Sequence, residues 1–135
     1  MNSKTIQEAM HATHHGTRPF PEIVGMLLGA GVEYYFVDYA QLRTTCYGNG
    51  DAVISPIPYE GLPPIGENVD ATEVKSAILA SQRAGQSHRD FSRRVVAAGV
   101  QGYFAFLRGQ RVTYLGRQGD QHTEWFPGAE PVKPQ

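Results

Sequence analysis

A repeat runs through most of the chain. Ala30-Gly31-Val32 returns as Ala98-Gly99-Val100, an offset of 68 residues. The same offset carries Tyr35-Phe36 onto Tyr103-Phe104, Arg43 onto Arg111, Thr45 onto Thr113 and Gly48 onto Gly116. Upstream it carries Ile6 onto Val74, Ala9 onto Ala77 and Met10 onto Ile78. Gly50-Asp51 meets Gly119-Asp120 after a slip of one residue. Two units that share only turn chemistry would be the competing explanation. A tandem copy accounts for more of the sequence. Neither copy is large enough to be comfortably stable alone, so the two must share one core in a single domain over residues 1–135.

Each copy reads as helix–helix–strand–strand–strand, over residues 3–57 and 70–126. Ile6, Ala9, Met10 and Thr13 fall on one face of a first helix near Ser3–His15, with Thr5 and Glu8 at capping-box spacing and Gly16 as a left-handed stop. A second helix starts near Pro21 and turns Ile23, Val24, Leu27 and Leu28 inward. Val32–Tyr39 and Leu42–Tyr47 read as strands, and Asn49-Gly50 supplies the positive φ angles of a tight hairpin turn into a third strand, Asp51–Ile57. In the second copy Asp70 with Glu73 and Ser87 with Asp90 cap two helices that end at Gly85 and Gly99. Strands follow at Val100–Leu107, Arg111–Leu115 and Gln121–Phe126. Residues 55–66, with four prolines, form a connector between the copies, and residues 127–135 read as a loose tail.

This order predicts an α+β fold: a mainly antiparallel sheet of up to six strands, four helices on one face, and an approximate two-fold axis between the copies. The other sheet face is then solvated, functional, or buried in a partner. Net charge is −1 and the pI is near 6.5, which counts against a nucleic-acid binder with a wholly basic surface. The charge is uneven: residues 1–67 carry −4 and residues 68–135 carry +3, with Arg83, Arg89, Arg93 and Arg94 around the fourth helix. No apolar run suggests a membrane span or signal peptide, and a lone Cys46 fits a reducing cytoplasm.

Pro19-Phe20-Pro21-Glu22, Ala30-Gly31-Val32-Glu33-Tyr34-Tyr35, Val37-Asp38-Tyr39 and His122-Thr123-Glu124-Trp125-Phe126-Pro127 occur in an order that resembles the YbcV/YdfO-like family. These are small bacterial and prophage proteins, often labelled "phage envelope protein". The resemblance spans nearly the whole chain. It implies an α+β fold, a cytoplasmic location and frequent residence in prophage regions. It implies no activity and transfers no catalytic residues. The label finds no echo in the residues, which include no anchor and no extended assembly arm.

Several residues are candidates for chemistry. His11 and His15 lie one helical turn apart, but a third ligand is missing, so a solvated helix face is the better reading and no metal or cofactor is expected. His122 and Glu124 share one strand face and could act as an acid–base pair; a structural ion pair is the plainer reading. Asp38 closes an apolar run on the face of Tyr34 and Phe36, with Arg43 on the neighbouring strand as a natural partner. Cys46 reads as a buried, inert thiol.

The expected function is a non-enzymatic binding module for a small molecule or protein segment, held on the open sheet face or in a cleft between the copies. Tyr35, Asp38, Arg43, Tyr103 and Arg111 are its candidate ligand residues, although strand alternation forbids all of them one face. One alternative is an enzyme using His122 and Glu124. The other is a phage-borne regulatory or interaction protein acting through the basic fourth helix. Nucleic acid is an unlikely partner on charge, and the chain is expected to be a monomer or homodimer.

Overall fold

The computed structural model describes residues 1–131. Four helices, α1 (Ser3–His15), α2 (Phe20–Gly29), α3 (Ala71–Ala84) and α4 (His88–Ala97), accompany six strands. The strands are β1 (Tyr34–Asp38), β2 (Arg43–Gly48), β3 (Asp51–Pro56), β4 (Val100–Phe106), β5 (Arg111–Gly116) and β6 (Gln121–Trp125). They form one antiparallel sheet in the order β3-β2-β1-β4-β5-β6. The α+β class and the six-stranded sheet follow the sequence reading. The expectation of a loose tail falls partly on residues 132–135, outside the described residues.

The helix ends explain the boundaries. Gly16 and Gly85 stop α1 and α3 with φ of 65° and 66°, a conformation that costs glycine nothing. Asp70 and Ser87 accept hydrogen bonds from the amides of Glu73 and Asp90, as their spacing predicted. The start of α1 differs from expectation. Asn2, not Thr5, is the cap, and its Oδ1 accepts from the amide of Thr5. Asn2 holds an extended backbone one step outside the helix, whereas Thr5 is already helical and cannot take the cap position. Leu28, expected inside, is 43% exposed; Ile23 and Leu27 are buried, and Val24 and Met26 pack against the core partly buried.

The two halves repeat several backbone hydrogen bonds where α2 and α4 end. The amide of Ala30 donates to Met26 and that of Ala98 to Arg94; Gly31 donates to Leu28 and Gly99 to Val96. Asn2 N–H reaches the carbonyl of Ala30, and Asp70 N–H reaches that of Ala98. Leu42 and Gln110, again 68 residues apart, are both left-handed, with φ of 51° and 56°. At the centre of the sheet Phe36 pairs with Phe104, the residue with which the offset equates it. The matching contacts therefore lie on either side of the β1–β4 seam. The outer hairpins differ by one residue: Arg43 lies opposite Pro56, but Arg111 lies opposite Trp125. The additional residue sits in the turn between β5 and β6.

Alternation divides the sheet cleanly. Tyr35, Val37, Cys46, Tyr103, Ala105 and Tyr114 point to the helices and are buried with Ile6, Leu27, Val74, Val95 and Val96. The connector is not a loose strap: Ile57 and Tyr59 are buried in this core. The arginines of the basic half tie it down. Arg89, Arg93 and Arg117 donate to the carbonyls of Glu60, Gly61 and Ile65, and Arg94 pairs with Glu73 at 2.9 Å. Most of the positive charge on α4 thus has a structural use.

Candidate functional site

On the side of the sheet away from the helices, three rows of side chains cross all six strands. The middle row is Ile54, Thr45, Phe36, Phe104, Thr113 and Thr123. The row at one end is Ala52, Tyr47, Tyr34, Phe106, Arg111 and Trp125. The row at the other end is Pro56, Arg43, Asp38, Gly102, Leu115 and Gln121. Strand propensity explains why aromatics and threonines stand here, but a solvated face would ordinarily be polar. Instead five rings form a continuous layer. Tyr34 stacks on Tyr47 at 4.9 Å, Phe36 lies 4.5 Å from Phe104, Phe104 stacks on Phe106 at 5.6 Å, and Tyr34 lies 6.0 Å from Phe106. All five are partly exposed, and Ile54 at the edge is 52% exposed. Phe36 folds over Gly102, where a Cβ would come within 2.8 Å of the ring, so the glycine makes room for the ring.

The candidate residues divide between the two sheet faces. Asp38, Arg43 and Arg111 stand on the open face, whereas Tyr35 and Tyr103 are 7% and 6% exposed beneath the helices. Those two phenol rings cannot touch a ligand on the open face. The expected Asp38–Arg43 ion pair is not formed, although the two residues are directly opposed. Asp38 Oδ1 instead accepts from the amides of Ala40 at 2.9 Å and Gln41 at 3.1 Å. A short carboxylate meets its own turn amides at little entropic cost, whereas an exposed arginine loses rotamer freedom on pairing. Arg43 and Arg111 occupy equivalent places at opposite corners, but only Arg111 meets aromatics: its guanidinium lies 4.8 Å over the Trp125 indole, beside Phe106.

His122 and Glu124 do share a face, on the helix side at the β6 edge. His122 Nε2 lies 3.5 Å from Glu124 Oε1 without hydrogen-bond alignment. Lys75 on α3 occupies both carboxylate oxygens of Glu124, at 2.5 and 2.9 Å. A carboxylate already engaged in this way makes a poor proton acceptor for a substrate. Cys46 is fully buried, and burial pushes its thiol up to about 12. Among the described residues no three of His, Cys, Asp and Glu gather as a metal ion would need. No helix there is long and apolar enough to cross a membrane.

Between the halves, on the helix side, lies a polar cluster that short-range spacing cannot reveal. His88 Nδ1 is 2.8 Å from the Tyr59 hydroxyl and its Nε2 is 2.9 Å from that of Tyr103. Nearby, Tyr39 and the fully buried Ser92 join at 2.8 Å. A neutral imidazole donates from one nitrogen and accepts at the other, so the two phenols take opposite roles. Burial lowers His88 to about 4, with the charge of nearby His14 adding to the effect. His14 is likewise lowered to about 4 by burial and then by His15 and His11. Tyr59 rises to about 12 because burial disfavours its phenolate. The rings of Tyr39, Phe91, Tyr103 and Tyr114 pack at 5.3–6.4 Å around this cluster, filling the helix-side junction where a cleft was expected.

No family model matches the chain, and a search of curated proteins likewise returned no match.

Proposed function

We propose that this protein is a non-enzymatic binding module whose ligand lies on the open sheet face, with the Tyr34, Phe36, Tyr47, Phe104 and Phe106 layer as its floor. The observation that carries this reading is the uninterrupted ring layer on β1, β2 and β4, each ring partly exposed on the side of the sheet away from the helices. A contiguous, partly exposed apolar area of this kind suits an interaction site. Rings anchored on three neighbouring strands, β1, β2 and β4, are also rigid, so binding orders little that was free beforehand.

Native mass spectrometry of gently purified protein tests the reading, with Phe36→Ser/Phe104→Ser as the comparison. The expected result is a monomer carrying a retained small molecule that the variant loses. A dimer that the variant dissociates would assign the face to a second copy instead. Retention of the molecule by the variant would remove the face from the function altogether.

A further inference from the structure

The open face has two ends, and only one combines a cation with rings. At that end Arg111 stands between Phe106 on β4 and Trp125 on β6, with Tyr34 and Tyr47 continuing the row. Arg111 is exposed and joins no ion pair among the described residues. Of the acids at this end of the sheet, Glu33 is taken by Arg108 at 3.3 Å and by the amide of Asn49, and Asp51 Oδ1 accepts from the amide of Ala52. At the other end the equivalents of Phe106 and Tyr34 are Asp38 and Gly102, and the place of Trp125 is held by Pro56. Arg43 there has a guanidinium but no ring beside it in its row.

We infer that the Arg111 end of the face binds a small planar aromatic anion, its ring lying on the Phe106 side chain and its carboxylate or phosphate meeting the fork of Arg111, which rests on Trp125. This rests on the open-face reading and narrows it to one corner and one class of ligand. Guanidinium presents two parallel donors to a carboxylate or phosphate, and flanking rings add stacking area at low entropic cost. The Arg111–Trp125 contact already holds the guanidinium over the indole, so the cation is positioned before a ligand arrives.

The chain contains a single tryptophan, Trp125, which makes the corner its own reporter. Trp125 emission is titrated with adenosine 5′-monophosphate and with 2-naphthoate, against neutral adenosine and inorganic phosphate. The expected result is saturable quenching by both aromatic anions, at least tenfold weaker with adenosine or phosphate. Arg111→Gln and Arg111→Lys should each weaken the anions tenfold or more, and Arg43→Gln should leave them unchanged. Equal affinity for adenosine and its monophosphate would overturn the anion requirement while leaving open-face binding intact. Equal losses in Arg43→Gln and Arg111→Gln, or no saturable quenching by either anion, would overturn the assignment of this corner. Circular dichroism of each variant verifies that both exposed substitutions leave the fold in place.

Discussion

Phe20 and His88 stand at equivalent points, each at the start of the second helix of its half, and they meet opposite chemistry. Phe20 packs edge-on against Phe126 at 5.3 Å, a contact of two hydrocarbon rings. His88 bridges the hydroxyls of Tyr59 and Tyr103. The backbone around them is similar, with matching hydrogen bonds where the two helices end, left-handed Leu42 and Gln110, and Phe36 paired with Phe104, although Pro19 starts one helix without a side-chain cap and Ser87 caps the other. The comparison teaches that this fold is specified by its helix ends and glycines. The side chains between those points differ, and one half has a polar junction where the other has an apolar one.

The largest test compares the two equivalent glycines. Gly99 has φ of 96°, and a Cβ there would collide with the backbone carbonyl of Asn68. Gly31 has φ of 92°, but its neighbour is the flexible side chain of Met1 at 3.4 Å. Gly99→Ala should cost about 2–4 kcal/mol and Gly31→Ala about 1–2 kcal/mol in urea unfolding. Equal losses would show that the second half is no more tightly clasped than the first.

Next in size is His88→Phe, which makes the polar junction resemble its counterpart. It strands two phenol hydroxyls and should cost about 2 kcal/mol, whereas Phe20→His, at a residue 44% exposed, should cost under about 0.5 kcal/mol. The pH dependence sharpens the point. His88 and His14 titrate near 4 when folded and near 6.5 when unfolded, so the unfolded chain binds more protons between those values. Their stabilising effect is complete above about pH 6.5 and is lost as the pH falls through 4. The urea midpoint should therefore drop on acidification through this window, and drop less in His88→Phe. An identical pH profile in the variant would separate the junction from the acid sensitivity.

Smaller effects are expected on the open face. Asp38→Ala loses two turn hydrogen bonds and should cost about 1 kcal/mol, whereas Arg43→Ala should cost less than about 0.5 kcal/mol. The double-mutant cycle between them should show no coupling, since no ion pair joins them. Arg111→Ala, which removes an exposed cation–π contact, should lower stability by about 0.5 kcal/mol. A larger loss would make Arg111 a structural residue rather than a binding one.

Local chemistry made much of the architecture readable in the residues. Asp70, Ser87, Gly16 and Gly85 each act within one turn of themselves, so their effect is visible in a short stretch of sequence. Strand alternation likewise placed Asp38 with Tyr34 and Phe36. Where two short-range options competed, the reading erred. Thr5 has capping-box spacing, but Asn2 lies where the chain enters the helix. Asp38 has an opposed arginine, but its own turn amides are closer. The His88 cluster was not readable because Tyr59 is 29 residues away and arrives through the fold of a proline-rich connector. The separation of Tyr35 and Tyr103 from the open face follows from parity; their aromatic character alone suggested a ligand role.

The uneven outer hairpins have a practical corollary. The chain accommodates an added residue between β5 and β6 while Thr113 and Thr123 still point the same way as Thr45 and Ile54. A turn absorbs length that a strand would convert into inversion of its two sides. A change of length in this turn therefore leaves Trp125 on the surface it reports on, while Arg117 and Gln118 keep the turn fastened to the connector.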